Sequence, residues 1–301
     1  MGYSRWDYEE TRTAYAATTT VRATQSAQEI FTSRHINEAF DPTKILLRES
    51  RDSEHNPNSV PIIIGLDVTG SMGIISERLA RGELGKLMEG IFSRKPVTDP
   101  HVMVMAIGDA TCDQSPLQVS QFEADIRIDQ SLQQLWLEGR GGGNSFESYD
   151  LPWYFAANRT ASDAFEKRGK KGYLFTIGDE PPPPAKPYTD HNMERVLGRT
   201  QGGYDYNSRK ALEAAQERYE VFHVIIEQGN YCKGSRYERE GCVAAWTDIL
   251  GRRALPCNNW EHLTEVILSA IEIAEGADAE EVIKSYQDTG VRSTLHHALG
   301  A

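Results

Sequence analysis

The chain has 301 residues, enough for two average domains or one large α/β domain with extensions. With 39% hydrophobic and 25% charged residues it has a globular composition, which excludes disordered, collagen-like and disulfide-scaffold classes. Acidic residues outnumber basic ones 44 to 32, and the net charge of −12 repels nucleic acid and anionic lipid at long range.

The longest apolar stretch, Pro61 to Leu66, is far shorter than the roughly 18–20 residues of a membrane span. Met1 to Trp6 has no apolar signal-peptide core, and Trp6 stands where a myristoylation signal wants Ser or Thr. We therefore expect a soluble, cytoplasmic, acidic protein. No two of Cys112, Cys232, Cys242 and Cys257 have Cys-x-x-Cys spacing. Reduced, partly buried thiols are the expected state, and a zinc site from the last three plus a histidine is the lesser alternative.

Residues 1–57 read as an N-terminal helical extension and linker. Tyr8 to Phe40 is rich in Ala, Thr, Gln and Arg with weak periodicity, which suggests one or two helices packed on the main domain or serving a partner. Arg48 to Ser59 is charged, polar and contains Pro57, the composition of a linker or long loop. From residue 60 the pattern becomes an alternation of strands and helices. Buried strands are predicted at Val60–Leu66, His101–Ile107, Tyr173–Ile177, Val221–Ile226 and Ala254–Cys257, with an edge strand in Gln118–Ile126. Helical spacing appears over Ile74–Phe92, Asp129–Leu137, Glu147–Phe165, Ser208–Tyr219, Ala245–Leu250 and Asn259–Ile273, the last with Asn258 and Glu261 as a capping box. Such alternation predicts an α/β fold: a doubly wound, mainly parallel, Rossmann-like sheet with helices on both faces. This domain covers 58–275, followed at 276–301 by a C-terminal helix and a fraying tail.

In a doubly wound sheet, ligands bind beyond the carboxyl ends of the strands. Asp67-Val68-Thr69-Gly70-Ser71-Met72-Gly73 follows the first buried strand, and Gly178-Asp179-Glu180 follows the Tyr173–Ile177 strand. Between them lies the glycine loop Gly139 to Glu147. Asp67, Thr69 and Ser71 alternate, so a tight loop directs their oxygens to one point, and Asp179 joins them from a neighbouring strand end. Two carboxylates with hydroxyls and waters suit a hard cation, Mg²⁺ first, with Mn²⁺ or Ca²⁺ as admissible substitutes. So few charged ligands leave the cation electrophilic and open to an outside carboxylate. The plainer reading makes both aspartates loop or helix caps. Asp109, ending another strand, is either an acceptor behind the ligands or a loop cap. Pro181 to Pro184 is a stiff segment that ends its strand, and His296-His297 reads as a solvated tail. There is no Walker loop, no His-Glu-x-x-His and no Ser-His-Asp ordering.

This pattern resembles the von Willebrand factor type A (vWA) domain and its metal-ion-dependent adhesion site (MIDAS). Asp67, Thr69 and Ser71 match the family's Asp-x-Ser-x-Ser, with Thr in place of the first Ser, and Asp179 matches its aspartate after the fourth strand. Gly141 to Ser148 is similar to the glycine-rich loop of one branch, where Asn144 or Ser145 supplies an oxygen and Glu147 stands behind it. The resemblance covers 58–275, including the ending at Trp246 to Gly251. It implies a metal-dependent protein-binding module rather than an enzyme, with Mg²⁺ coordinating an exposed Asp or Glu of a partner within a multiprotein assembly. An AAA+-type ATPase is the implied partner, nucleic acid and membrane are not, and self-association through residues 1–57 stays open. The rival resemblance is to phosphatases of haloacid dehalogenase type, with Asp67 as nucleophile, Mg²⁺ beside it, Asp179 as a second carboxylate and Lys170 or Lys171 balancing charge.

Overall fold

The computed structural model describes residues 33, 35–79, 84–125, 127–138 and 146–300. Two short 3-10 turns, Glu38–Phe40 and Pro42–Lys44, are opened by Asn37 and Asp41, whose side chains accept from backbone N–H groups two residues on. The elements then follow as β1 (Arg48–Ser50), β2 (Ser59–Asp67), α1 (Ile74–Arg78), α2 (Leu84–Arg94), β3 (Asp99–Ile107), β4 (Leu117–Val119) and α3 (Arg127–Gln133). The middle of the chain forms α4 (Asp150–Arg159), β5 (Thr160–Ser162), α5 (Asp163–Arg168), β6 (Gly172–Gly178), α6 (Asp190–Leu197) and α7 (Ser208–Arg218). The last part forms β7 (Tyr219–Ile226), α8 (Asn230–Gly234), α9 (Arg236–Leu250), β8 (Ala254–Cys257), α10 (Leu263–Ala274), α11 (Ala279–Lys284) and α12 (Thr289–Leu299).

Six strands make the central sheet in the order β4-β3-β2-β6-β7-β8, parallel except for the antiparallel edge strand β4. Every residue of the central strand β2 is buried, as its isoleucine run requires. Alternate side chains divide between two cores. Ile62, Ile64 and Leu66 face a layer that includes Leu87 and Ile91 of α2, Ile267 and Ile271 of α10 and Leu295 of α12. Ile63 and Met105 face the opposite layer, with Trp153 of α4, Leu212 of α7 and Trp246 of α9. The doubly wound α/β architecture expected from the sequence is therefore present. Among the described residues, no helix is long and apolar enough to cross a membrane.

Several local expectations are corrected. Arg48–Ser59 is a loop over residues 51–58, as one of the two expected readings has it, but it opens with a strand. β1 pairs with β5 in a small parallel sheet, Ser50 Oγ meets His101 Nδ1 at 3.1 Å, and the buried Arg48 donates to the carbonyls of Ala39 and Val119. Its polar side chains satisfy other polar groups of the fold rather than water, which composition does not reveal. The expected continuous helix Glu147–Phe165 is broken into α4, β5 and α5 because the chain turns extended at Thr160 and Ser162 recaps it, accepting from Phe165 N–H at 3.3 Å. The capping box of Asn258 and Glu261 gives way to a cap by Asn259, while Asn258 Oδ1 accepts from Thr294 Oγ1 of α12 at 3.0 Å. α6 and α8 were not anticipated, and α9 begins nine residues before the predicted Ala245 because its first turns are polar and exposed.

The C-terminal residues do not fray within the described chain. Ile283 of α11 and Leu295 of α12 are buried in the core beside α10. The helices expected within Tyr8–Phe40 lie largely outside the described residues, although Phe40 itself joins the core. Leu295→Ala should consequently destabilise the protein by about 2–5 kcal/mol, as expected for a truncated core leucine. A urea titration with an unchanged midpoint would show that α12 is not part of the cooperative unit.

Candidate metal centre

Strand register builds the site. Asp67 pairs with Ile107 across β2 and β3, and Leu66 pairs with Ile177 across β2 and β6. Asp67, Asp109 and Asp179 thus lie within two residues of three adjacent carboxyl ends. After β2 the chain reverses over Gly70–Gly73, where Gly73 N–H donates to Gly70 C=O at 3.1 Å and Gly73 takes the positive φ of 52° that glycine tolerates.

Asp67 is fully buried. Its Oδ1 accepts from Thr69 N–H at 2.8 Å and from Thr69 Oγ1 at 2.6 Å, and its Oδ2 accepts from Tyr149 Oη at 2.6 Å. Thr69 Oγ1 lies 3.1 Å from Ser71 Oγ, so the alternation Asp67, Thr69, Ser71 gathers three oxygen-bearing side chains as the sequence predicted. Tyr149 is held edge-on to His223 and Trp246, whose rings stack with centroids 3.5 Å apart. Its phenol oxygen also accepts from Glu180 N–H at 3.3 Å, and a Cβ at Gly178 would collide with it.

Asp179 is gripped from the other side. Its Oδ2 accepts from Tyr231 N–H at 2.8 Å, and its backbone carbonyl accepts from the Cys232 thiol at 3.0 Å. Gly229 packs directly on the Asp179 carboxyl, leaving no space for a Cβ, and Asn230 N–H donates to Ser71 C=O at 2.9 Å. One turn, 229–231, therefore fastens the Ser71 loop to Asp179. Trp246 Nε1 donates to Glu180 C=O at 2.9 Å and anchors the next residue.

Four carboxyl groups lie near this end of the sheet, and several act on one another electrostatically. Burial, then the charge of Asp179, pushes Asp67 up to about 7, while hydrogen bonds from Thr69 and Tyr149 oppose the rise. Burial followed by Asp67 and Asp179 moves Glu180 up to about 8, and burial followed by Asp67 and Glu180 moves Glu147 up to about 11. Asp179 is raised by burial against the opposing Tyr231 N–H and Ser71. Asp179 Oδ1, Glu180 Oε2 and Glu147 Oε2 are buried without a hydrogen-bond partner. These three oxygens are unmet acceptor sites, which a proton or a cation would satisfy. Among the described residues, no three His, Cys, Asp or Glu side chains stand together as a ready metal cluster. The donors present are two aspartates and two hydroxyls, a set that fits a hard cation completing its shell with water.

The other candidates separate. Asn144 and Ser145 lie outside the described residues. Glu147 is buried near Asp67, Glu180 and Asp109. Asp109 closes its own loop, accepting from Thr111 N–H and Oγ1 at 2.7 Å each and from the Cys112 thiol, and is thus a loop cap. Lys170 and Lys171 precede β6, at the end of the sheet opposite Asp67, where they bind Glu275 and the Gln216 carbonyl. The phosphatase reading therefore loses its lysine. The zinc alternative is not assembled either: Cys232 and Cys242 meet at the Asp179 carbonyl, whereas Cys257 donates to Asn259 C=O, and all four thiols are free. His297 pairs with Glu227 at 2.6 Å on α12 rather than in a solvated tail. Pro181 to Pro184 ends against the start of α7, where Ser208 Oγ donates to Pro184 C=O.

The sequence reading assigned no role to Tyr149 or Glu180. Glu180 carried a signal, since it adjoins Asp179 in the quoted motif. Tyr149 carried none, because its bond to Asp67 spans 82 residues.

No family model and no curated protein sequence matches the chain. Solved structures similar to it include the pilus adhesin SpaC from Lactobacillus rhamnosus GG, 12% identical over 79% of this chain and 31% of that one, with a TM-score of 0.40. A von Willebrand factor type A protein from Catenulispora acidiphila is 13% identical over 73% of this chain and 44% of that one, with a TM-score of 0.39. The conserved hypothetical protein BatB from Bacteroides thetaiotaomicron is 17% identical over 72% of this chain and 98% of that one, with a TM-score of 0.38. The chain spans less than half the length of the first two.

Two outcomes follow from this geometry. Tyr149→Phe removes the donor to Asp67 and the acceptor of Glu180 N–H, and should cost about 1–3 kcal/mol in a denaturant titration. Because the Glu180 pKa is raised in the fold, its protonated form favours folding at low pH, and that stability is lost as pH rises through about 8. Relative to the metal-free parent, Glu180→Gln should then gain melting temperature progressively between about pH 5 and about pH 9. A pH-independent difference would contradict the assigned environment.

Proposed function

We propose that this protein is a metal-dependent protein-binding module. Asp67 and Asp179, with the hydroxyls of Thr69 and Ser71, hold a divalent cation, Mg²⁺ first, and Asn144 or Ser145 adds an oxygen from the glycine loop. The observation that carries this reading is Asp179 Oδ1, a fully buried and unpartnered carboxylate oxygen in the space shared with Asp67. When bound, the cation supplies a Lewis-acidic centre that accepts one outside carboxylate. The chain's own residues hold that centre in place: Tyr149 and Thr69 orient Asp67, and the turn 229–231 orients Asp179. Resemblance of the Asp67-x-Thr69-x-Ser71 motif to the MIDAS supports a partner with an exposed Asp or Glu, an AAA+-type ATPase or another member of an assembly. A net charge of −12 favours a neutral or basic partner that offers one well-placed acid. Four free thiols suit a cytoplasmic setting.

Calorimetric titration of Mg²⁺ and Mn²⁺ into the full chain tests the site. Wild type should bind one cation, and Asp179→Ala should lose binding while keeping its fold by circular dichroism. Equal binding by both proteins would place the cation elsewhere and end this reading.

A further inference from the structure

The Asp67–Asp179 site has a third acid of its own. Glu180 follows Asp179 at the end of β6 and is only 8% exposed, and its Oε2 is buried without a partner. Its backbone is pinned on both sides, the N–H to the Tyr149 phenol and the carbonyl to Trp246 Nε1. The carboxyl therefore cannot leave the site by backbone drift. The Tyr149 phenol that accepts from Glu180 N–H at 3.3 Å also donates to Asp67 Oδ2 at 2.6 Å, which puts the Glu180 backbone one hydroxyl away from a proposed metal ligand. Without a cation, nothing among the described residues draws the carboxyls of Asp67, Asp179 and Glu180 into one metal cluster. A divalent ion draws the nearest unpartnered oxygen inward.

We propose that Glu180 closes on the bound cation as a third carboxylate ligand and competes there with the carboxylate of a partner. This rests on the metal reading above. Three carboxylates against a charge of two leave the closed site with no net attraction for a further anion, so a partner's acid must displace Glu180 rather than fill an open position. Glu180 would then set how strongly the site recruits partners. Its own chain would offer the first occupant of the position that an external Asp or Glu takes.

The test uses Mn²⁺ as the probe with the full chain. The number of exchangeable waters on bound Mn²⁺ is read from water-proton relaxation, and affinity from the same titration. Glu180→Ala should gain about one Mn²⁺-bound water, and acetate should displace that water at lower concentration than in wild type. Glu180→Gln, nearly isosteric, covers the case in which the alanine variant does not fold. It should weaken Mn²⁺ binding by at least about tenfold, the lower range for losing a group that supports a metal site. If wild type binds Mn²⁺ and both variants match it in bound waters, affinity and acetate response, Glu180 is not a ligand and the metal reading survives. If wild type binds no Mn²⁺, both fail together.

Discussion

The structure depends on the placement of Asp67 at the end of the most deeply buried strand. β2 is covered on both faces by the two cores, so its last residue emerges into a space with little water. A carboxylate there must be met by donors, and it is: Thr69 and Tyr149 supply three hydrogen bonds. Parallel register then fixes Asp179 beside it, because β6 ends level with β2. The two acids are brought together by the sheet rather than by attraction to each other. Burial raises both pKa values, the charge of Asp179 raises that of Asp67 further, and the packing of the fold sustains that cost.

The support behind the site draws on the second core. The aromatic group Tyr149, His223 and Trp246 lies beneath Asp67 and reaches Glu180 through both the phenol and the indole. α8 and α9 reach Asp179 through Tyr231 N–H and the thiols of Cys232 and Cys242. Both glycines nearest the acids, Gly178 and Gly229, are sites where a side chain would overlap Tyr149 or Asp179. Such a shell fixes the side chains of Asp67 and Asp179 through direct contacts.

The local parts of this arrangement were readable from residues alone. The isoleucine run of β2, the strand-helix alternation and the oxygen set Asp67, Thr69 and Ser71 all express rules acting over a few residues, and the structure has them where expected. The failures share a cause. The strand at Arg48–Ser50 was hidden in a segment that reads as a linker or long loop because Arg48, Ser50 and Asp52 bind polar groups of the fold, and 147–165 looked like one helix because no local rule placed the break at Thr160. Residues 276–301 looked like one helix and a fraying tail, where the structure has two helices, because short helices acquire stability from the core they cover.

What the sequence determined by itself is the periodicity of its elements, hence the doubly wound sheet, and the oxygen-bearing residues that stand at its strand ends. Tertiary structure alone decided which groups surround those residues. Tyr149 meets Asp67 across 82 positions, Trp246 meets Glu180 across 66, and Cys232 meets Asp179 across 53. Contacts of that span are fixed by strand register and by the packing of helices against two faces, and they leave no periodic trace in the chain. The lysines that would have served a phosphatase were separated from Asp67 by the same rule, since a parallel strand carries its first and last residues to opposite ends of the sheet.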